Sequence, residues 1–155
     1  MGLDARVCCD CIKKGSARPH PFPRLLGFDK TGEPTLTSKA KISADQWGRH
    51  DEWHRHSCPH SGYLVDKRLG NIAFVARVRE FLARNSPHDF PILHERVVYS
   101  GSHCGDWITV HDARKLLKEA KKLKGATANI MILKFADDCI ELAEASIATG
   151  NPIIF

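Results

Sequence analysis

The spacing of apolar residues along the chain predicts short strands that alternate with longer helices. Residues 3–9 alternate apolar and polar side chains, which is typical of a strand with one buried face. Further along, apolar residues recur every three to four positions, which indicates helices that bury one face against a core. These helical segments are residues 44–58, 71–85, 110–124 and 129–149.

The ends of these helices carry residues that favour initiation or termination. Ser43 and Thr109 are predicted N-caps, because their side-chain oxygens can accept a hydrogen bond from the first helical turn. Pro59 ends the first helix, since the residue before a proline is pushed out of the helical region. Glycines end the last two helices, at Gly125 and Gly150.

Two further segments predict strands. Residues 92–99 contain an unbroken apolar run, which favours a central strand of a sheet. Residues 153–155 are short and apolar and follow the last helix, so they are expected to add a strand. Together the elements predict a single α+β domain over residues 1–155, with a small mixed sheet of three to five strands and about four helices.

Residues 15–42 form a region rich in proline and glycine, in which regular structure is interrupted repeatedly. One hairpin is predicted within it, at residues 25–37. Pro34 requires an edge position in that hairpin, because proline cannot donate a hydrogen bond to a ladder.

The composition is that of one globular domain. The chain has 155 residues, 43% of them hydrophobic and 26% charged, which suits one compact core. No apolar run approaches the roughly 18 residues that span a bilayer, and the N-terminus carries no apolar signal segment. We therefore expect a cytoplasmic protein.

The six cysteines favour free thiols or a metal site over disulfides. There is no secretory signal, and Cys8 and Cys9 are adjacent in sequence, which suits a disulfide framework poorly. Cys139 falls on the apolar stripe of the last helix, so it is predicted to be a core thiol.

Two closely spaced pairs predict a metal centre. Cys9 and Cys11 form a C-x-C pair at the end of the first strand, and Cys58 and His60 form a C-x-H pair at the end of the first helix. Zinc prefers four such nitrogen and sulfur ligands in a tetrahedron, often as two pairs that the fold brings together. The prediction is therefore a Cys3His zinc site.

Two neighbouring histidines leave the ligand set open. His54 and His56 could replace His60 or form a second site. The alternative to any metal site is that the cysteines are buried thiols and the histidines decorate an exposed helix.

A second group of residues, around Cys104, indicates a cysteine nucleophile. The first alternative function is therefore a hydrolase that uses Cys104. Its glycine-flanked loop could supply backbone N–H groups for an oxyanion, and Asp106 could orient a histidine base. His103 is adjacent in sequence and cannot serve as that base by adjacency alone, so a distant histidine would be required. The alternative is a tight turn in which Asp106 caps local backbone. A metal-bound water is a further route to hydrolysis.

The third feature is a basic helical segment, residues 114–124, in a chain of net charge +5 and pI near 9.0. A positive face can contact phosphates, but this segment has no aromatic stacking groups. A solvated surface explains it better, so nucleic-acid binding is the second alternative. No phosphate-binding, dinucleotide-binding, serine-hydrolase or metalloprotease motif is present.

Three short phrases carry a resemblance: CDC at residues 9–11, YSGSHCGDW at 99–107 and GNPIIF at 150–155. They resemble those of a group of small uncharacterised bacterial proteins with no established activity. Small stand-alone proteins of this class include immunity proteins that neutralise toxins. The resemblance therefore favours a protein-binding module over an enzyme. The specific form of this hypothesis is an immunity protein that binds and neutralises a toxin.

Overall fold

The computed structural model describes residues 2–85 and 87–155, and over these residues the chain forms α-helices with a four-stranded antiparallel sheet and a separate two-stranded sheet. The predicted α+β class is confirmed. The strands are β1 (Gly2–Cys8), β2 (Leu26–Phe28), β3 (Pro34–Leu36), β4 (Tyr63–Asn71), β5 (Trp107–Ile108) and β6 (Ile153–Ile154). The α-helices are α1 (Ala44–His56), α2 (Ile72–Asn85), α3 (Val110–Ala126) and α4 (Ile130–Thr149).

Strand β1 organises the main sheet, whose order is β4-β1-β6-β5 with antiparallel pairing throughout. Alternation along β1 places Leu3, Ala5 and Val7 in the core, where each is at most 1% exposed. Helix α4 packs on β1 and β4, and α3 packs on α4. The hairpin of β2 and β3 forms a separate two-stranded sheet, as predicted.

The predicted helix caps are largely confirmed. Ser43 and Gln46 form a reciprocal capping box, with Ser43 Oγ accepting from the Gln46 backbone N–H at 3.2 Å and Gln46 Oε1 accepting from the Ser43 N–H at 2.8 Å. Gly150 ends α4 in the left-handed conformation, with φ of 70°. The predicted stop at Gly125 is wrong, because α3 continues to Ala126. A glycine costs only about 1 kcal/mol in a helix, so one near the end does not have to terminate it.

The predicted strand at residues 92–99 is also wrong. Leu93–Val97 forms a π-helical turn, with Leu93 and Val97 both buried. Helix α3 supplies the reason: the Glu119 carboxylate accepts hydrogen bonds from the backbone N–H groups of Ile92 at 3.1 Å and Leu93 at 2.8 Å. Those N–H groups are the ones that a helix start leaves unpaired. Burial raises the pKa of Glu119.

Strand β4, which no sequence pattern predicts, pairs with β1 along its length. Asp66, Lys67 and Arg68 interrupt its apolar pattern. Lys67 is nevertheless half-buried, because its ammonium group lies 2.5 Å from the Glu141 carboxylate of α4. Trp107 lies in β5, where it pairs with Ile154 of β6. Over the described part of the chain, none of the helices combines the length and the apolar character that a bilayer crossing requires.

Candidate metal centre

The four predicted ligands come together. One ligand atom from each of Cys9, Cys11, Cys58 and His60 lies within 4.8 Å of all the others, so this cluster could hold a metal ion. The Cys9 and Cys58 sulfurs are 3.7 Å apart, and the Cys11 sulfur is 3.1 Å from His60 Nδ1. Three thiols and one imidazole form a complete donor set for a tetrahedral ion.

The pairing of β1 with β4 explains why distant residues meet. Cys8 is the register partner of Tyr63, so the residue after β1 lies beside the turn that precedes β4. The Cys9 N–H donates to the Gly62 carbonyl at 3.0 Å. Residues 57–62 must bend sharply there, and Gly62 takes the left-handed conformation with φ of 90°. The register of β1 with β4 therefore places the C-x-H pair beside the C-x-C pair.

A tight loop after β1 orients Cys11. The Ser16 N–H donates to the Cys11 carbonyl at 2.9 Å, and Gly15 turns the chain with φ of 72°. The Arg18 N–H then donates to the Ser57 carbonyl at 2.8 Å, which joins this loop to the end of α1. Both halves of the cluster are thus fixed by backbone hydrogen bonds.

The protonation of these thiols is uneven. Burial raises the pKa of Cys9 to about 12, and the neighbouring thiols add to the rise. Burial acts in the same direction on Cys58, but hydrogen bonds from the backbone N–H groups of Gly62 and His60 and from the Cys9 and Cys11 thiols together lower the pKa of Cys58. Crowded thiols oppose one another's ionisation, and a divalent cation would relieve that repulsion.

His54 and His56 lie outside the cluster of four that the described residues form. The His54 ring packs edge-on against Tyr63, with its Nε2 buried and without a hydrogen-bond partner among the described residues. Burial lowers the pKa of His54. His56 is exposed on α1 and lines a surface pocket.

The Cys104 loop brings together two of its three predicted residues. His103 Nδ1 lies 3.2 Å from the Asp106 carboxylate, within ion-pair distance but not aligned as a hydrogen bond, and His103 Nε2 donates to the Val97 carbonyl at 3.0 Å. A hydrogen bond from the Tyr99 hydroxyl, with the nearby His103 ring, lowers the pKa of Asp106. Cys104 is exposed, and its thiol has no hydrogen-bond partner among the residues described. Both ring nitrogens of His103 therefore face oxygen atoms of other residues, and neither is hydrogen-bonded to the Cys104 thiol among the described residues.

The basic helix α3 is largely neutralised. Four of its six Lys and Arg side chains between residues 114 and 124 lie within ion-pair distance of carboxylates. These pairs are Lys115 with Asp112, Lys121 with Glu144, Lys122 with Asp89, and Lys124 with Asp137. Such pairing leaves little free positive charge for phosphates.

A buried histidine pair packs the proline-rich region onto α1, and no sequence motif indicates it. His20 Nδ1 accepts from the Phe22 N–H at 2.9 Å, and His50 Nε2 donates to the Pro34 carbonyl at 3.2 Å. The remaining nitrogens, His20 Nε2 and His50 Nδ1, lie 3.0 Å apart. Because the two outer contacts fix the tautomers, His20 Nε2–H donates to His50 Nδ1 and both rings are neutral. Thirty residues separate the two histidines in sequence.

Comparison with protein-family models, curated proteins and solved structures finds no match to this chain.

Proposed function

We propose that Cys9, Cys11, Cys58 and His60 bind a zinc ion in a structural site, and that the chain is a zinc-stabilised binding module without catalytic turnover. The closed set of four protein ligands supports this proposal, because a catalytic zinc keeps one position for water. Thiolates with imidazole suit zinc better than magnesium or calcium, which prefer oxygen ligands.

The observation that carries the structural role is the lack of a hydrophobic core between the two ligand pairs. The main core cluster takes no residue from 9–62. Of the leucine, isoleucine, phenylalanine and tryptophan side chains in that segment, only Leu36 is buried. A segment that buries so little apolar surface needs another source of stability, and a metal cross-link supplies one.

Elemental mass spectrometry of the purified native protein tests the site. We expect about one zinc per chain, lost in Cys11→Ser and in His60→Ala together with folded structure in the segment. Cys104→Ser is the matched control, because that thiol is exposed and lies outside the cluster; it should keep its zinc. Absence of metal, with both ligand variants as stable as the native protein, would refute the proposal.

We propose that the partner of this chain is a protein, and more specifically a toxin that the chain neutralises. The support is the sequence resemblance described above. Affinity purification from source cells is expected to recover one protein in stoichiometric amount. Activity assays are expected to show no turnover of test substrates. Recovery of nucleic acid alone would contradict a protein partner without affecting the zinc site.

A further inference from the structure

The net positive charge of the chain is concentrated in the segment between the two ligand pairs. Residues 11–60, here named the basic lobe, contain nine Lys and Arg against five Asp and Glu. This third of the sequence therefore carries four of the five net positive charges. The remaining residues, which include α3, are almost balanced.

The charge of the basic lobe is also left without ion pairs. Of its nine cationic side chains, only Lys14 lies within ion-pair distance of a carboxylate among the described residues, at 2.7 Å from Asp10. The contrast with α3 follows directly, because most of the cations there have a carboxylate partner. Most of the net positive charge of the protein thus lies in the basic lobe, where few carboxylates pair with it.

Aromatic rings lie among these free cations. Arg18, Arg49 and His56 line an open pocket of about 400 Å³ with Trp53, and Glu52 is its one acidic residue. Trp53 Nε1 donates to the Arg18 carbonyl at 2.9 Å, which fixes the indole ring. The Arg49 guanidinium lies 4.7 Å from the centroid of the Phe22 ring.

We propose that this face of the basic lobe binds single-stranded nucleic acid, with Arg18 and Arg49 contacting phosphates and an unstacked base lying against Trp53. Free cations beside an aromatic ring are the combination that single strands require. A duplex offers phosphates but no exposed base face, and an acidic peptide offers charge but no ring to stack. This ligand goes beyond the proposed function and does not depend on a protein partner.

Fluorescence anisotropy tests the proposal with labelled single strands of about 12 nucleotides, RNA and DNA. The affinity of the wild-type protein should fall linearly with salt on logarithmic axes between about 50 and 200 mM. Removing both phosphate contacts in Arg18→Ala/Arg49→Ala is expected to weaken binding about ten-fold or more. The salt slope should also shrink by about 1.4, since each contact to a single strand contributes about 0.7.

A matched variant separates this site from general charge. Arg114 and Lys118 are exposed on α3 and have no carboxylate partner among the described residues, so Arg114→Ala/Lys118→Ala removes the same charge elsewhere. It should bind within about two-fold of the wild type. An abasic strand of equal length should bind about five-fold or more weakly if a base stacks on Trp53. Zinc content and melting temperature of each variant establish that it is folded.

Three results would overturn the proposal. One is no binding of any single strand at about 50 mM salt. Another is an equal loss of affinity in the two double variants, which would indicate non-specific attraction. The third is a poly-glutamate peptide that binds as tightly as the oligonucleotide, which would assign the site to an acidic peptide. Because zinc is measured separately, a protein without metal would refute the structural site and leave this test intact.

Discussion

Removing the metal is expected to loosen the segment between the ligand pairs before it disturbs the main core. The pairs Cys9 with Cys58 and Cys11 with His60 are each separated by 49 residues. If the ion is treated as a cross-link, closing a loop of that length stabilises the folded state by about 4 kcal/mol through the entropy of the unfolded chain. For a chain of this size, that is a loss of about 8–16 °C in melting temperature on chelation.

Hydrogen exchange and thermal unfolding measure this effect. Backbone amides of α1 should lose protection in chelator at neutral pH, while those of α4, which are held by the core, should keep it. Chelator added to His60→Ala is the control, since this variant lacks the site and should show no further change. A shift below about 2 °C in the native protein, or equal loss of protection in α1 and α4, would refute the reasoning.

Three further predictions concern single contacts. Burial lowers the pKa of His20 below its ordinary value of 6.5, so the neutral His20 ring contributes stability that is present above pH 6.5 and is lost as pH falls through the lower folded pKa. The melting temperature should therefore drop on acidification, and less so in His20→Gln. Asn151 is 1% exposed and its Nδ2 donates to the Cys8 carbonyl at 2.9 Å, so Asn151→Ala should cost about 1–3 kcal/mol in denaturant unfolding, and an unchanged midpoint would contradict this. An alkylating reagent should modify exposed Cys104 in the native protein and reach Cys139, which is 1% exposed, only after unfolding. Mass spectrometry of the peptides measures the order of modification, and the opposite order would contradict this prediction.

The candidate site could be predicted from sequence to a greater extent than the contacts that build it. Cysteine and histidine are scarce enough that two close pairs already predict a ligand set. What brings them together is β4, and its charged centre at Asp66, Lys67 and Arg68 has no strand pattern. Those charges are tolerated because carboxylates of α4 lie beside Lys67, a contact between residues far apart in sequence.

The wrong strand prediction has a tertiary cause. Residues 92–99 have an apolar run that fits a strand or a buried helical turn equally well, and Glu119 decides between them from another helix. The wrong stop at Gly125 has a local cause, because one glycine near a helix end costs too little to terminate the helix. Periodicity records neither effect.

The position of β6 affects how the protein can be made. Last of the elements in chain order, it lies between β1 and β5 and forms the only strand-to-strand link that the described sheet has between them. A ribosome therefore releases β1 long before the strand that will cover its second edge. Until then that edge is open to pairing with other chains, which is a hazard for a nascent polypeptide. Rapid docking of β6 once it is synthesised would shorten the period of exposure.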